Sequence, residues 1–171
     1  MFKLFVSLIG IYTGLGYVHA QNTHPNVHPT PAVVKQVIKS FDNPEGAIFS
    51  ADGQHVYISN SAEIGERAGG FSWTEGEGYI SKLKVNQDGT LSMINDKLIT
   101  GISSPLGMAV LPVSTGKFPA GTIFLCAGSA PIVDSNGETI TDRTRMRSKL
   151  IAFNEDGKIL GEIDTGSGSV F

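Results

Sequence analysis

Asn43-Pro44-Glu45-Gly46-Ala47-Ile48-Phe49-Ser50-Ala51-Asp52-Gly53-Gln54-His55-Val56-Tyr57-Ile58-Ser59-Asn60 decides how this chain is read. The apolar run 47–49 and the β-branched and aromatic run 56–58 flank the turn signal Ala51-Asp52-Gly53, so the stretch predicts two antiparallel strands in a tight hairpin. Asp-Gly supplies the left-handed backbone that such a turn needs. On this reading Glu45 stands at the entrance to the first strand and His55 lies in the turn.

The unit recurs. Pro44-Glu45-Gly46 aligns with Pro105-Leu106-Gly107, an offset of 61 residues, and 36–49 matches 97–110 apolar for apolar. Leu83-Lys84-Val85-Asn86-Gln87-Asp88-Gly89-Thr90-Leu91 aligns with Ile151-Ala152-Phe153-Asn154-Glu155-Asp156-Gly157-Lys158-Ile159 at an offset of 68, the difference marking an insertion in the second unit. Each unit therefore predicts four strands: 47–50, 56–59, 79–85 and 91–100 in the first, and 108–111, 122–127, 149–153 and 159–164 in the second. A helix across 85–100 would contradict the repeat.

Four antiparallel strands repeating with a period near 60 are how a β-propeller blade presents itself in sequence. The expected fold class is all-β, a partial β-propeller over 33–171 with two four-stranded blades at about 43–100 and 104–165, in a ring expected to have six. Residues 33–39 are read as the outer strand completing the last blade. Val34, Val37, Ile38 and Phe41 also have helical spacing, but the repeat partner 97–102 is β-branched and favours a strand. Propellers close with four to eight blades, so two blades read as an N-terminal fragment of a protein of more than roughly 350 residues. A ring of several chains and a small open pair of sheets are the other readings.

Lys3, the apolar run to Tyr17 and then Val18-His19-Ala20 predict a signal peptide over 1–20, shorter than the ~20 apolar residues a spanning helix needs. The protein is thus expected to be exported, periplasmic or extracellular, with no membrane attachment after cleavage. Residues 21–32 carry Pro25, Pro29 and Pro31 and read as an extended linker, whose prolines keep His24 and His28 off a common helix face. A net charge of −3 leaves no electrostatic footprint for nucleic acid. The single cysteine, Cys126, lies in an apolar run and reads as a small buried hydrophobe rather than a nucleophile.

Residues 43–60 resemble the opening blade of the senescence-marker-protein/gluconolactonase family, in which a Glu-Gly motif, a short turn and a Leu-Tyr-Phe-Val-Asp-like strand follow one another. The specific part is Glu45 with Gly46; the rest is shared with six-bladed NHL-type and strictosidine-synthase-like propellers. The resemblance implies that Glu45 is a ligand of a divalent cation, calcium or zinc, in the central channel. It further implies a metal-dependent hydrolase of a small lactone or ester, the cation polarising a carbonyl or activating water. Pro105-Leu106-Gly107 departs from the family's second blade, which carries Asn-Asp-Gly and its polar contacts. That departure favours the other reading, a non-catalytic NHL-type module holding a glycan, peptide or protein.

The residues themselves leave choices open. Glu45 is a cation ligand, a solvated loop glutamate, or the partner of an arginine such as Arg67. The glycine-rich stretch 63–77 reads as a long flexible loop, with Trp73 either lining the mouth or packing over a blade edge. Asp134-Ser135-Asn136-Gly137-Glu138 reads as a turn in the insertion rather than a calcium loop, since its glycine comes too early for that spacing. Arg143, Arg145 and Arg147 alternate, placing three cations on one strand face, solvated or facing an anion. The histidines His19, His24, His28 and His55 offer no Ser–His–Asp arrangement, so the catalytic residues stay unassigned.

Overall fold

The computed structural model describes residues 33–62, 64–67, 70–128, 132–134, 136, 138–140 and 148–166. The strands are β1 (Pro44–Phe49), β2 (His55–Asn60), β3 (Ile64–Arg67), β4 (Gly70–Thr74), β5 (Gly78–Val85), β6 (Leu91–Ile102), β7 (Pro105–Val110), β8 (Ile123–Ala127), β9 (Ile132–Val133), β10 (Ser148–Phe153) and β11 (Ile159–Gly166), and the described residues contain no helix. They form two four-stranded antiparallel sheets, ordered β1-β2-β5-β6 and β7-β8-β10-β11, and a smaller sheet β3-β4-β9.

The repeat read from the sequence is thus two sheets of the same connectivity. Each first strand starts at a proline, Pro44 or Pro105, three residues before the predicted start. A proline cannot donate to a ladder, which suits the first position of an edge strand, where β1 and β7 both lie. Both first strands carry a register shift just after that proline. The hairpins joining the last two strands of each sheet also agree, with Asn86 N donating to Thr90 O (2.8 Å) in one and Asn154 N to Lys158 O (3.0 Å) in the other.

The two sheets pack face to face. Ile48, Tyr57, Ile80, Ile99 and Ile102 of the first meet Met108, Val110, Ile123, Leu125, Ala127, Ile151 and Phe153 of the second in one apolar core. Tyr57, Ile80, Ile123, Leu125 and Phe153 are fully buried there, and each such side chain contributes roughly 2 kcal/mol of transfer free energy. The Tyr57 and Phe153 rings meet edge to face at 6.2 Å between centroids. On the other face of the first sheet, Val56, Ile58 and Leu83 lie beneath Ile38 and Phe41.

Three expectations are corrected. Residues 33–40 join no β-ladder and pair with none of the edge strands. The stretch 63–77 is not a plain loop: β3 and β4 pair as a hairpin, and β4 pairs in parallel with β9 from the second unit's insertion, Trp73 opposite Ile132. His55 is the first residue of β2, not a turn residue. The turn at Asp134 is present, its Oδ1 accepting from Asn136 N and Glu138 N at 2.9 Å each. The signal-peptide and linker readings, with His19, His24 and His28, and the arginines Arg143, Arg145 and Arg147 lie outside the described residues.

Candidate functional site

The ladder registers place the starts of β1, β5 and β7 and the ends of β2, β6 and β8 at one end of the two sheets. Two matched corners build that end. Asn43 (φ 48°) and Ser104 (φ 46°), each just before its proline, hold the left-handed conformation. Asparagine tolerates that region better than most residues. Asn43 O accepts from Ser61 N at 3.1 Å, and Ser104 O from Gly128 N at 3.2 Å, so the same clasp ties each corner to the end of the neighbouring strand.

Beneath the corners runs a layer of fully buried small polar side chains, Ser59, Asn60, Ser61, Ser81, Ser104 and Ser148. Ser59 Oγ donates to Leu106 O at 2.7 Å and Ser61 Oγ to Pro105 O at 3.1 Å, joining the first sheet to the first strand of the second. Asn60 Nδ2 donates to Ser81 Oγ (3.0 Å) and its Oδ1 accepts from Asp42 N (3.3 Å), while Ser81 Oγ donates to Asp96 O (2.7 Å). These hydroxyl protons are committed to carbonyl oxygens, which satisfies buried backbone groups and fixes the corner. Nothing in the sequence reading anticipated the layer; its signal was the polar triplet Ser59-Asn60-Ser61 closing an apolar strand.

Glu45, the second residue of β1, projects exposed from this end, and its Oε1 accepts from Asn43 Nδ2 at 3.2 Å. The counterpart position in β7 is Leu106, half-buried and apolar. Among the described residues no group of three or more His, Cys, Asp or Glu side chains converges as a metal site. The hard oxygen donors at the corner are the Glu45 carboxylate and the Asn43 amide, a set suited to calcium rather than to zinc, which favours nitrogen and sulfur.

Trp73 lies on β4, half-buried, its Nε1 buried without an acceptor among the described residues. The chain after β4 returns over the corner, where Gly76 N donates to Ser103 Oγ at 2.9 Å and Gly78 packs against Pro105. Trp73 therefore belongs to an added sheet built from both units at the Glu45 end. Arg67 ends β3, backbone-paired with Gly70.

The opposite end holds a second polar group that the sequence did not disclose. Asp52 Oδ1 accepts from Ser50 Oγ (2.6 Å) and Gln54 N (3.0 Å), and these hydrogen bonds, the Ser50 one first, hold its carboxyl below the ordinary 3.8. His55 Nδ1 stands 3.9 Å from Glu155 Oε2, across the seam between the sheets. Lys82 Nζ donates to Glu155 O at 2.8 Å and lies over the Tyr57 ring at 5.6 Å. Burial, then the charge of Glu155, pushes the Tyr57 hydroxyl well above its usual range. The group pins the β10–β11 turn against the first sheet.

No protein-family description, characterised protein or solved structure matches this chain.

Proposed function

We propose that the two sheets are consecutive blades of a β-propeller and that the end carrying Glu45 is its ligand-binding mouth. Three features support this: repeated four-stranded connectivity, face-to-face packing, and the second strand of one sheet tied to the first strand of the next through Ser59 and Leu106. In this reading Glu45, oriented by Asn43, is one ligand of a divalent cation, calcium by its donor chemistry, and the protein is an exported hydrolase of a small lactone or ester. A bound cation supplies carbonyl polarisation or water activation; this chain's residues bind and orient it. The single observation that carries the reading is the exposed Glu45 carboxylate, held by Asn43 at the start of an innermost strand.

The second reading is a non-catalytic propeller that holds a glycan, peptide or protein at the same mouth. Leu106 favours it, because the neighbouring first strand brings an apolar side chain where a second oxygen ligand would stand. Calorimetric titration of calcium and zinc into the wild type and Glu45→Gln, alongside hydrolysis of a panel of small lactones and esters with and without chelator, separates the two. Calcium binding lost in Glu45→Gln with chelator-sensitive hydrolysis supports the first reading, and calcium binding without hydrolysis supports the second. A wild type that binds no divalent ion sinks the cation site.

A further inference from the structure

The face that the second sheet turns away from the first is, residue for residue, the counterpart of a face that is buried within the chain. Ladder positions make Phe124 the equivalent of Tyr57, Leu150 of Ile80, Ile163 of Ile99 and Ala109 of Ile48. In the first sheet this face is covered by the second, and Ile99 is 7% exposed. In the second sheet the same face stays apolar, yet Ile163 is 56% exposed, and Phe124, Cys126 and Leu150 are only half-buried.

The far side of the first sheet presents the complementary layer. Ala47 and Phe49 are the equivalents of Met108 and Val110, which pack into the seam between the sheets, and here both are exposed, Phe49 at 44%. Half-buried Ile38 and Phe41 continue that layer. The stack thus carries on one face the outward half of the interface it already contains, and on the other the Ala47–Phe49 part of the second half, where Ile38 and Phe41 cover Val56, Ile58 and Leu83.

We infer that copies of this chain associate head to tail, the Phe124–Leu150–Ile163 face of one copy seating on the Ala47–Phe49 face of the next. Such contacts are heterologous, so they close into a ring when the rotation per copy allows. With two four-stranded sheets among the described residues of each copy, two to four copies reach the four to eight sheets that close a propeller. The inference stands whether or not Glu45 binds a cation.

The internal seam also says which residues should meet. Cys126 is the equivalent of Ser59, whose hydroxyl donates to Leu106 O, and Glu45 is the equivalent of Leu106. Cys126 of one copy therefore lies beside residue 45 of the next. Light scattering and mild oxidation of the full chain test this, with Glu45→Cys, Glu45→Cys/Cys126→Ser and Ile163→Glu. Expected are a wild type of two to four copies, at least about tenfold weaker association in Ile163→Glu, and interchain disulfides in Glu45→Cys that are absent from Glu45→Cys/Cys126→Ser. Ile163 is already exposed, so circular dichroism should show an unchanged fold in Ile163→Glu. A monomeric wild type overturns the inference, as does association indifferent to Ile163→Glu. So does a wild type that crosslinks Cys126 to Cys126, which would mean that like faces meet.

Discussion

Ser59 and Leu106 are joined by a 2.7 Å hydrogen bond from the serine hydroxyl to the leucine carbonyl, the point at which the first sheet grips the first strand of the second. Ser59 is fully buried, and the bond spans 47 positions of sequence. Gly46 lies against the same carbonyl: a Cβ there would sit 3.0 Å from Leu106 O. At this point the seam is a backbone-close contact, beside the apolar side chains that fill the rest of it.

Ser59→Ala should cost about 1–3 kcal/mol, because it leaves the Leu106 carbonyl buried without its donor. The loss should appear as a lower urea midpoint at unchanged slope. A midpoint equal to that of the wild type would show that this bond does not hold the seam.

Two glycines at the same end should respond in opposite ways. Gly78→Ala drives a Cβ into Pro105 and to 2.5 Å from Ile102 O, and backbone cannot yield as a flexible side chain does. The variant should lose about 3 kcal/mol or more. Gly107→Ala meets nothing within 4 Å, and should stay within about 0.5 kcal/mol of wild type. Thermal unfolding of the pair checks both, and equal melting temperatures would refute the packing of Gly78 on Pro105.

Much of this arrangement was legible because local chemistry and global fold agree. Asp52-Gly53, Asp88-Gly89 and Asp156-Gly157 mark the turns, with all three glycines at positive φ, and the strands between them alternate or run apolar as buried strands do. The first-strand prolines marked the corners, although the strands begin at them rather than after them. The added sheet was hidden for two reasons. Its strands are rich in glycine, which reads as loop, and the pairing of Trp73 with Ile132 joins segments whose closeness only tertiary structure determines. Glu45 was found by its contrast with Leu106. His55 was misplaced because Asp52, Gly53 and Gln54 carry turn chemistry right up to the strand boundary.

Acid should weaken the fold through Asp52. Its carboxyl is held below 3.8 in the folded chain, chiefly by Ser50 and then by Gln54. A depressed folded value means that the contribution is present above the unfolded value, about 3.9, and is lost as pH falls through the folded one. Urea midpoints taken at pH 6 and again below about pH 4 should therefore fall less steeply in Asp52→Asn and Ser50→Ala than in wild type. Parallel pH dependences in all three would remove Asp52 from the account.

The parallel pairing of β4 with β9 has a consequence for modularity. A repeat that touches its neighbour only through a flat seam can be excised, duplicated or permuted at the linker between units. Here the first unit lends β3 and β4 and the second lends β9 to a sheet that neither completes alone, stitching across the junction at a second place. Cutting the chain between residues 103 and 104 would leave β3 and β4 without β9. The smallest piece able to unfold as a single cooperative body is thus the pair of repeats, and insertions in the two units are constrained to change length together.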